Sequence, residues 1–303
     1  MARSRVSDAG FPWPDGARGA LCLSFDNLGE AAAIELGALA PDDPSVGEHP
    51  TVTRVLPSLL ELLGERGPAA TFFVEGLNAE LYPEALRAIA AGGHEVAYHA
   101  WRHERWGDLS AGEQAENLNR GRVAFRELGA GPGDGPGIEI RGLRPPGGRL
   151  GAGGLEVPRE AGLRYASPAG EGAGVEDGIA LLPFQWRHVD ATCVLPPLAP
   201  VREGMTGSAA PIDPDAFLAY LNGEIERLGR EGGFLAIVLH LSLLEWLGDE
   251  RLAALLDRLA EANRSGDLWL SRCADVAEHV LAHTGEFEGR TTLDSTSWTE
   301  ESS

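Results

Sequence analysis

The sequence predicts an α/β fold in which parallel strands are covered by helices on their outer side. Short apolar runs alternate with longer segments whose apolar residues recur every three or four positions. The first pattern is typical of buried strands and the second of amphipathic helices. Repeated alternation of the two favours parallel strands, because each helix carries the chain back along the sheet. A chain of 303 residues also fits a single α/β barrel domain.

The predicted strands are short apolar runs bounded by polar or turn-forming residues. In chain order they cover residues 20–25, 70–74, 95–98, 138–142, 234–241 and 268–271. The first of them, ALCLSF, has the composition of a buried strand, and FLAIVLHL at 234–241 is the most apolar. Glycine and proline are frequent between 129 and 180, so we expect only short elements there.

The predicted helices carry recognisable start and stop signals. They cover about 52–65, 83–93, the segment after Ser110, and about 213–230, 249–263 and 273–283. Pro83 stands in the first turn of its helix and glycines follow the end of that helix, as helix termini favour. Ser110 with Glu113 three residues later predicts an N-cap with a capping box.

The composition excludes several classes of function. The chain has 25 Lys and Arg against 46 Asp and Glu, and a formal net charge of −21. Nucleic acids and anionic membranes attract basic proteins, so neither is an expected partner. No lysine occurs in the sequence, which excludes Schiff-base chemistry and a P-loop. The lack of a GxSxG motif, and of a GxGxxG motif after a strand, argues against a serine hydrolase and a dinucleotide cofactor.

The cysteines and the apolar runs indicate in which cellular compartment the protein is expected. Cys22, Cys193 and Cys273 are far apart and form no CxxC pair, a pattern that fits a reducing environment. The first residues contain no apolar stretch of the kind found in signal peptides. No run approaches the ~20 apolar residues of a membrane span. We therefore expect a cytoplasmic protein.

Two candidate catalytic residues stand at the carboxyl ends of predicted strands, where barrel folds collect their functional groups. Asp26 follows the strand 20–25, and burying a carboxylate there is costly unless it is paired or used. A turn or cap is the alternative interpretation of Asp26. His240, near the end of strand 234–241, is suited to act as a general acid. The alternative for His240 is a hydrogen-bonded core histidine.

Two further candidate sites follow other predicted strands, one with a pair of histidines and one with an arginine. His99 and His103 come after strand 95–98, and on a helical turn their spacing of four would let both imidazoles reach one metal ion. Two unrelated surface histidines are the alternative. Arg144 begins a loop of prolines and glycines and could hold a carboxylate through two hydrogen bonds. A loop of this composition is otherwise a simple turn.

Taken in order, five segments resemble the polysaccharide deacetylases, which are carbohydrate esterase family 4 or the NodB-homology domain. The segments are WPDGARGALCLSFDN, ATFFVEG, GHEVAYHAWRH, GLRPPGG and AIVLHLS. The opening WPxGxR and the sequence FDNLGE are most similar to the branch with cytoplasmic peptidoglycan-deacetylase-like proteins and allantoinases. The resemblance implies a distorted (β/α) barrel of about seven parallel strands over residues 1–284, which leaves 285–303 as a polar, flexible tail.

The resemblance also implies roles for individual residues. Asp26 matches the catalytic base, Arg144 the residue that orients the base, and His240 the general acid. Asp190, in QWRHVDAT, is similar to the acidic residue that supports this acid. His99 and His103 match the metal-binding histidines. Trp101, Pro146 and Trp186 are candidates for substrate binding, because aromatic rings such as the two tryptophans could stack on a sugar ring. Plain core or rim residues are the alternative for the tryptophans.

One position departs from the family pattern. Many members have a second aspartate beside the base that completes the metal site, whereas this chain has Asn27 followed by Leu28. Asparagine offers a neutral oxygen and supplies less charge to zinc than a carboxylate does. We expect a divalent metal, with zinc as the first choice, on His99, His103 and Asn27. Asp26 is the alternative third ligand, and a missing metal is a second alternative.

The resemblance predicts a hydrolase that removes an acetyl or other acyl group from an N-acylated sugar or a related amide. The expected partner is therefore a small carbohydrate, and a homo-oligomer stays open. One alternative is a metal-independent cyclic-amide hydrolase similar to allantoinase. Another is a catalytically silent carbohydrate-binding relative. The chain argues against this alternative because it retains all five of the central residues, which are Asp26, His99, His103, Arg144 and His240.

Overall fold

The structure, a computed structural model, describes residues 13–129 and 137–294. Its strands are β1 (Gly19–Asp26), β2 (Thr71–Val74), β3 (Glu95–Tyr98), β4 (Gly142–Leu143), β5 (Tyr165–Ala166), β6 (Gly170–Glu171), β7 (Gly174–Glu176), β8 (Ile179–Leu181), β9 (Gly233–His240), β10 (Leu268–Leu270) and β11 (Thr292–Leu293). Its helices are α1 (Ala31–Glu35), α2 (Leu56–Arg66), α3 (Asn78–Leu81), α4 (Pro83–Ala91), α5 (Ala111–Glu127), α6 (Glu156–Glu160), α7 (Asp190–Val194), α8 (Ala199–Thr206), α9 (Pro214–Glu231), α10 (Leu244–Leu247), α11 (Asp249–Arg264), α12 (Cys273–Ala282) and α13 (Thr284–Phe287).

The main sheet is curled and consists of parallel strands apart from the edge strand β7. Strand β1 lies at its centre and pairs with β9 along its whole length. Strand β10 pairs with the first three residues of β1 and β2 with the last three, so these two share the other edge of β1. From β2 the order continues through β3, β4, β5 and β8 to β7. A parallel bridge between Val189 and Val238 joins the segment after β8 back to β9. The predicted distorted (β/α) barrel is confirmed, with eight parallel strands in the described residues.

Burial explains why the central strands are so apolar. Every residue of β1 is buried, because one face looks into the barrel and the other packs against the helices. Helices α2, α4, α9 and α11 present leucine and isoleucine side chains to the outer face of the sheet. At Gly142 the ring of Tyr165 lies so close that an added Cβ would approach it to 1.9 Å. Glycine at this position lets β4 pair tightly with β5.

Most predicted elements are present, with differences where the chain is irregular. The capping box of Ser110 and Glu113 starts α5, and Pro83 starts α4 as expected. The predicted strand 138–142 is wrong in its bounds. The strand at this place is β4, which has only two residues, because 137–141 have no register partner in the sheet. Strands β5 to β8 are too short to give a periodic pattern, and the sequence reveals none of them individually.

The first part of the predicted tail packs on the domain, so the prediction of a flexible segment from 285 is wrong for the described residues. Phe287 at the end of α13 is fully buried against the barrel. Strand β11 pairs antiparallel with β6. Residues 285–294 are therefore packed on the domain, and the remaining part of the predicted tail, 295–303, lies outside the described residues. No helix in the described part of the chain is long and apolar enough to cross a bilayer.

Candidate active site

A cavity of about 380 Å³ opens where the carboxyl ends of the parallel strands meet. Eight of the ten predicted site residues line it: Asp26, Asn27, His99, His103, Arg144, Pro146, Trp186 and His240. Asp26 and His240 are register partners on the neighbouring strands β1 and β9. The fold thus brings together residues that are more than 200 positions apart in the sequence.

Asp26 is held by a buried arginine. Nη1 of Arg144 donates to Oδ1 of Asp26 at 2.7 Å and to Oγ of Ser24 at 2.7 Å. Nε and Nη2 donate to Oγ of Ser167 at 3.2 and 3.0 Å. The guanidinium carbon also lies 3.9 Å from the centre of the Phe73 ring. Because these contacts fix the arginine on several sides, they also fix the direction of the Asp26 carboxylate.

His240 is held by a second buried carboxylate. Its Nδ1 lies 2.6 Å from Oδ1 of Asp190, and its backbone N–H donates to Oδ2 of Asp190 at 2.8 Å. Burial lowers the pKa of His240, but the charge and hydrogen bond of Asp190, with a contribution from Asp26, raise it overall. A proton on Nδ1 is therefore held by Asp190, and Nε2 is the nitrogen left for chemistry in the cavity.

His99 and His103 approach each other, but on a loop and not on the helical turn that the sequence analysis expects. Their ring centres are 4.9 Å apart. Ala100 and His103 both have left-handed backbone angles, with φ of 63° and 74°, which a helix cannot contain. These two left-handed residues turn the loop back on itself. The turn brings the rings of His99 and His103 together, as the spacing of four residues would on a helix.

Both histidines are neutral in the structure. Burial is the main cause that lowers the pKa of His99 to about 3 and the pKa of His103 to about 3. Nδ1 of His99 is 2.8 Å from the carbonyl oxygen of Arg144. A carbonyl can only accept, so Nδ1 carries the proton and Nε2 keeps its lone pair. A metal-binding histidine has this arrangement.

The neighbouring Asn27 has an unusual environment. Its Oδ1 is buried and has no hydrogen-bond partner in the described residues. Its backbone is left-handed, with φ of 60°, a conformation that asparagine tolerates better than most residues. An unpartnered buried oxygen on a residue that lines the same cavity as two neutral imidazoles fits a divalent cation. No third His, Cys, Asp or Glu joins the two histidines within 13–129 and 137–294, so the charge of this donor set is low.

Two of the ten predicted site residues, Trp101 and Asp190, do not line the cavity. Trp101 is 3% exposed and its ring is covered by the guanidinium of Arg120 at 3.6 Å, outside the cavity. The expected role of Trp101 in substrate binding is therefore unsupported. Asp190 is fully buried behind His240 and does not line the cavity. Trp186 stands at the cavity wall with Phe184 edge-on against it.

Sequence reasoning misses one acidic residue close to the site. Glu75 directly follows β2, is fully buried, and accepts hydrogen bonds from the backbone N–H of Leu28 at 3.1 Å and from Nδ2 of Asn78 at 3.1 Å. Nδ2 of Asn78 also donates to the carbonyl oxygen of Leu28 at 2.8 Å. The two side chains therefore clamp the residue next to Asn27. Glu75 could have been found from the sequence, because it follows a predicted strand and this is the same feature that singles out Asp26.

Comparisons with known proteins show which families the chain is similar to. The family model described as polysaccharide deacetylase matches residues 38–166. That segment contains His99, His103 and Arg144, whereas Asp26 and His240 lie outside it. A chitooligosaccharide deacetylase of Bradyrhizobium sp. (strain ANU 289) is 35% identical over 102 residues, which are 34% of this chain and 42% of the relative. The chain thus matches less than half the length of that curated relative.

Solved structures match over nearly the whole chain. The crystal structure of a putative polysaccharide deacetylase from Mycobacterium smegmatis is 26% identical, covers 95% of this chain and 97% of its own, and has a TM-score of 0.72. The crystal structure of Puue Allantoinase is 20% identical, covers 91% of this chain and 96% of its own, and has a TM-score of 0.69; at this identity it shows the fold alone. The resemblance to the polysaccharide deacetylases that the motifs indicate is confirmed.

Proposed function

We propose that the protein is a hydrolase that removes an acyl group from the nitrogen of an acylated sugar or a related amide. The observation that carries this proposal is the pairing of two oriented groups in one cavity. Asp26 is aimed by Arg144, and His240 is aimed by Asp190. A carboxylate base and a protonated histidine acid are the two proton-transfer groups that amide hydrolysis needs.

The reaction follows from their positions. Asp26 takes a proton from water as the water oxygen attacks the amide carbonyl. The carbon–nitrogen bond then breaks, and Nε2 of His240 gives its proton to the departing nitrogen. The products are an amine and a carboxylic acid, which loses its proton to the solvent. The proton held by Asp26 leaves and His240 takes one up from the solvent, so both groups return to their starting states. Asp190 stabilises the positive charge of His240 before this transfer.

The proposed metal site consists of His99, His103 and Asn27. Two neutral imidazoles and the unpartnered amide oxygen supply three donors to a divalent ion, with zinc as the proposed ion. When bound, such an ion would polarise the substrate carbonyl. The chain's own contribution is to keep both imidazoles unprotonated by burial and to orient His99 through the carbonyl of Arg144.

Binding of the substrate is assigned to the walls of the cavity. Pro146 lies in the loop after Arg144, and both Pro146 and Trp186 line the cavity. An aromatic face is suited to the apolar side of a sugar ring, which supports Trp186 as a stacking residue. These two residues would hold the substrate while Asp26 and His240 act on the amide.

A direct assay tests this function. The purified protein is incubated with chitooligosaccharides and with N-acetylglucosamine, with and without added zinc, and both acetate and free amine are measured. The proposal expects equal amounts of the two products. Failure to release either from any acylated amine would contradict it.

A cyclic-amide hydrolase similar to allantoinase is the second candidate. Asn27 favours it, because the donor set of two histidines and one neutral amide carries no negative charge for a metal. The two candidates are separated by incubation with allantoin after exhaustive treatment with a chelator. Ring opening that survives chelation supports the second candidate, whereas release of acetate that depends on zinc supports the first.

A further inference from the structure

The opening of the cavity carries exposed apolar side chains. Among the described residues, four large apolar side chains are well exposed: Leu36, Val123, Leu195 and Leu293. Leu36 is 72% exposed and Leu195 is 39% exposed, and both line the cavity that contains Asp26 and His240. Single exposed leucines are ordinary in soluble proteins, but two at the rim of one cavity form a local apolar surface.

The apolar surface continues inward from this rim. The cavity wall on the side of His240 is formed by aliphatic and aromatic side chains: Phe184, Trp186, Val189, Leu198, Val238 and Leu243. These six also pack together in one apolar cluster. The cavity that contains His240 is therefore lined by these six apolar side chains and also by the exposed Leu36 and Leu195.

This wall is larger than an acetylated sugar requires. An acetyl group presents a single methyl carbon to an apolar surface. A sugar ring directs its hydroxyls toward hydrogen-bonding groups, which fix its orientation in a site. Trp186, Leu198 and Leu243 are half-buried in this wall, and the two leucines are exposed. A sugar ring stacked on Trp186 would leave the aliphatic side chains in water, so this surface matches a longer apolar group that would cover them as well.

We infer that the substrate carries an aliphatic or aromatic substituent beside the scissile amide, and that this substituent lies against the apolar wall between His240 and the rim leucines Leu36 and Leu195. This inference rests on the proposed amide hydrolysis and specifies the substrate class. The substituent can belong to the acyl group or to the amine side of the amide. Both sources present the same chemistry to the wall.

Two substrate series distinguish the sources. The first compares N-acetyl-, N-butyryl- and N-hexanoylglucosamine, in which only the acyl chain grows. The second compares N-acetylglucosamine with its methyl and hexyl glycosides, in which the apolar group is on the amine side. In the series that matches the natural substrate, kcat/KM is expected to rise up to about fourfold per methylene, which corresponds to ~0.8 kcal/mol.

Substitutions at the rim connect this preference to the wall. In the variants Leu36→Gln and Leu195→Gln the ratio of kcat/KM for the hexyl-bearing substrate to that for the acetyl substrate should fall at least threefold. Val123→Gln is the matched control, since Val123 is 44% exposed on α5 and does not line the cavity. Both rates and their ratio should be unchanged in that control.

The outcomes separate this inference from the proposed function. Acetate release with a flat dependence on chain length in both series would overturn the apolar substituent and leave amide hydrolysis standing. A rise with chain length that the rim variants reduce supports the inference. Absence of hydrolysis in every member of both series would remove the proposed function and the inference together.

Discussion

Asp26 and His240 lie opposite each other at the ends of the paired strands β1 and β9, and each is oriented by its own buried partner. Arg144 holds the carboxylate and Asp190 holds the imidazole. Because the two supporting pairs are separate, a change in one should alter one catalytic group and leave the other in place.

The variant Asp190→Asn should shift the basic limb of the pH–rate profile to lower pH. Asp190 is the main cause that raises the pKa of His240 against the effect of burial. A raised pKa keeps His240 protonated up to a higher pH. Without the negative charge of Asp190, His240 should therefore lose its proton at a lower pH. The profile of kcat/KM between pH 5 and pH 9 measures the limb. An unchanged basic limb in Asp190→Asn would assign it to another group.

The variant Asn27→Asp should bind zinc at least tenfold more tightly than the wild type. A charged oxygen would replace the neutral Oδ1 beside two neutral imidazoles. Titration of the metal-free protein, followed by calorimetry, gives the affinity. His103→Ala in the Asn27→Asp background should lose the gain. Equal zinc affinity in the wild type and Asn27→Asp would remove Asn27 from the metal site.

Glu75 should make the folded state more stable at acidic than at neutral pH. Burial raises the pKa of Glu75 to about 8, so the folded chain holds a proton that the unfolded chain releases at about pH 4.5. Stability from this group is present below that pH and is lost as the pH rises toward about 8. The neutral variant Glu75→Gln removes the dependence.

Urea denaturation at several pH values checks this prediction. The difference in free energy of unfolding between Glu75→Gln and the wild type should grow in favour of the variant from about pH 5 to about pH 8. Glu226→Gln is the control, because Glu226 is exposed on α9, and its difference should stay constant. A constant difference for Glu75→Gln would mean that Glu75 is ionised in the folded state.

The two tryptophans should differ in their effect on KM. Trp186→Ala removes an aromatic face from the cavity wall and should raise KM roughly fivefold, in line with ~1 kcal/mol for a stacking contact. Trp101→Phe should leave KM unchanged, since its ring lies under Arg120 outside the cavity. A larger rise in KM for Trp101→Phe than for Trp186→Ala would contradict the placement of the substrate.

The residues of the site can be predicted from the sequence more completely than the strands of the sheet can. Parallel strands bring their carboxyl ends to one edge, so Asp26, His99 and His240 could be grouped once three strands were recognised. The loop geometry could not be anticipated. Left-handed angles at Ala100 and His103 are set by the tertiary structure, and no local pattern in the sequence indicates them.

Short strands and buried partners account for the remaining differences. Strands β5 and β8 have two and three residues, which is too few for an alternating pattern to appear. Ser24 and Ser167, which hold Arg144, are common residues without a motif around them. Their importance depends on distances across the barrel, which the one-dimensional sequence does not contain.

The turnover of an N-acylated sugar by Asp26→Asn and by His240→Ala, compared with the wild type, shows whether these two groups transfer the protons. Each variant should lower kcat by ~10²–10⁴, the usual contribution of one proton-transfer group, and should change KM less. The double variant should lose less than the product of the two effects, since the two groups act as a unit. Asp42→Asn, at an exposed position, should retain full activity. Turnover by Asp26→Asn at the rate of the wild type would contradict the assignment of Asp26 as the base.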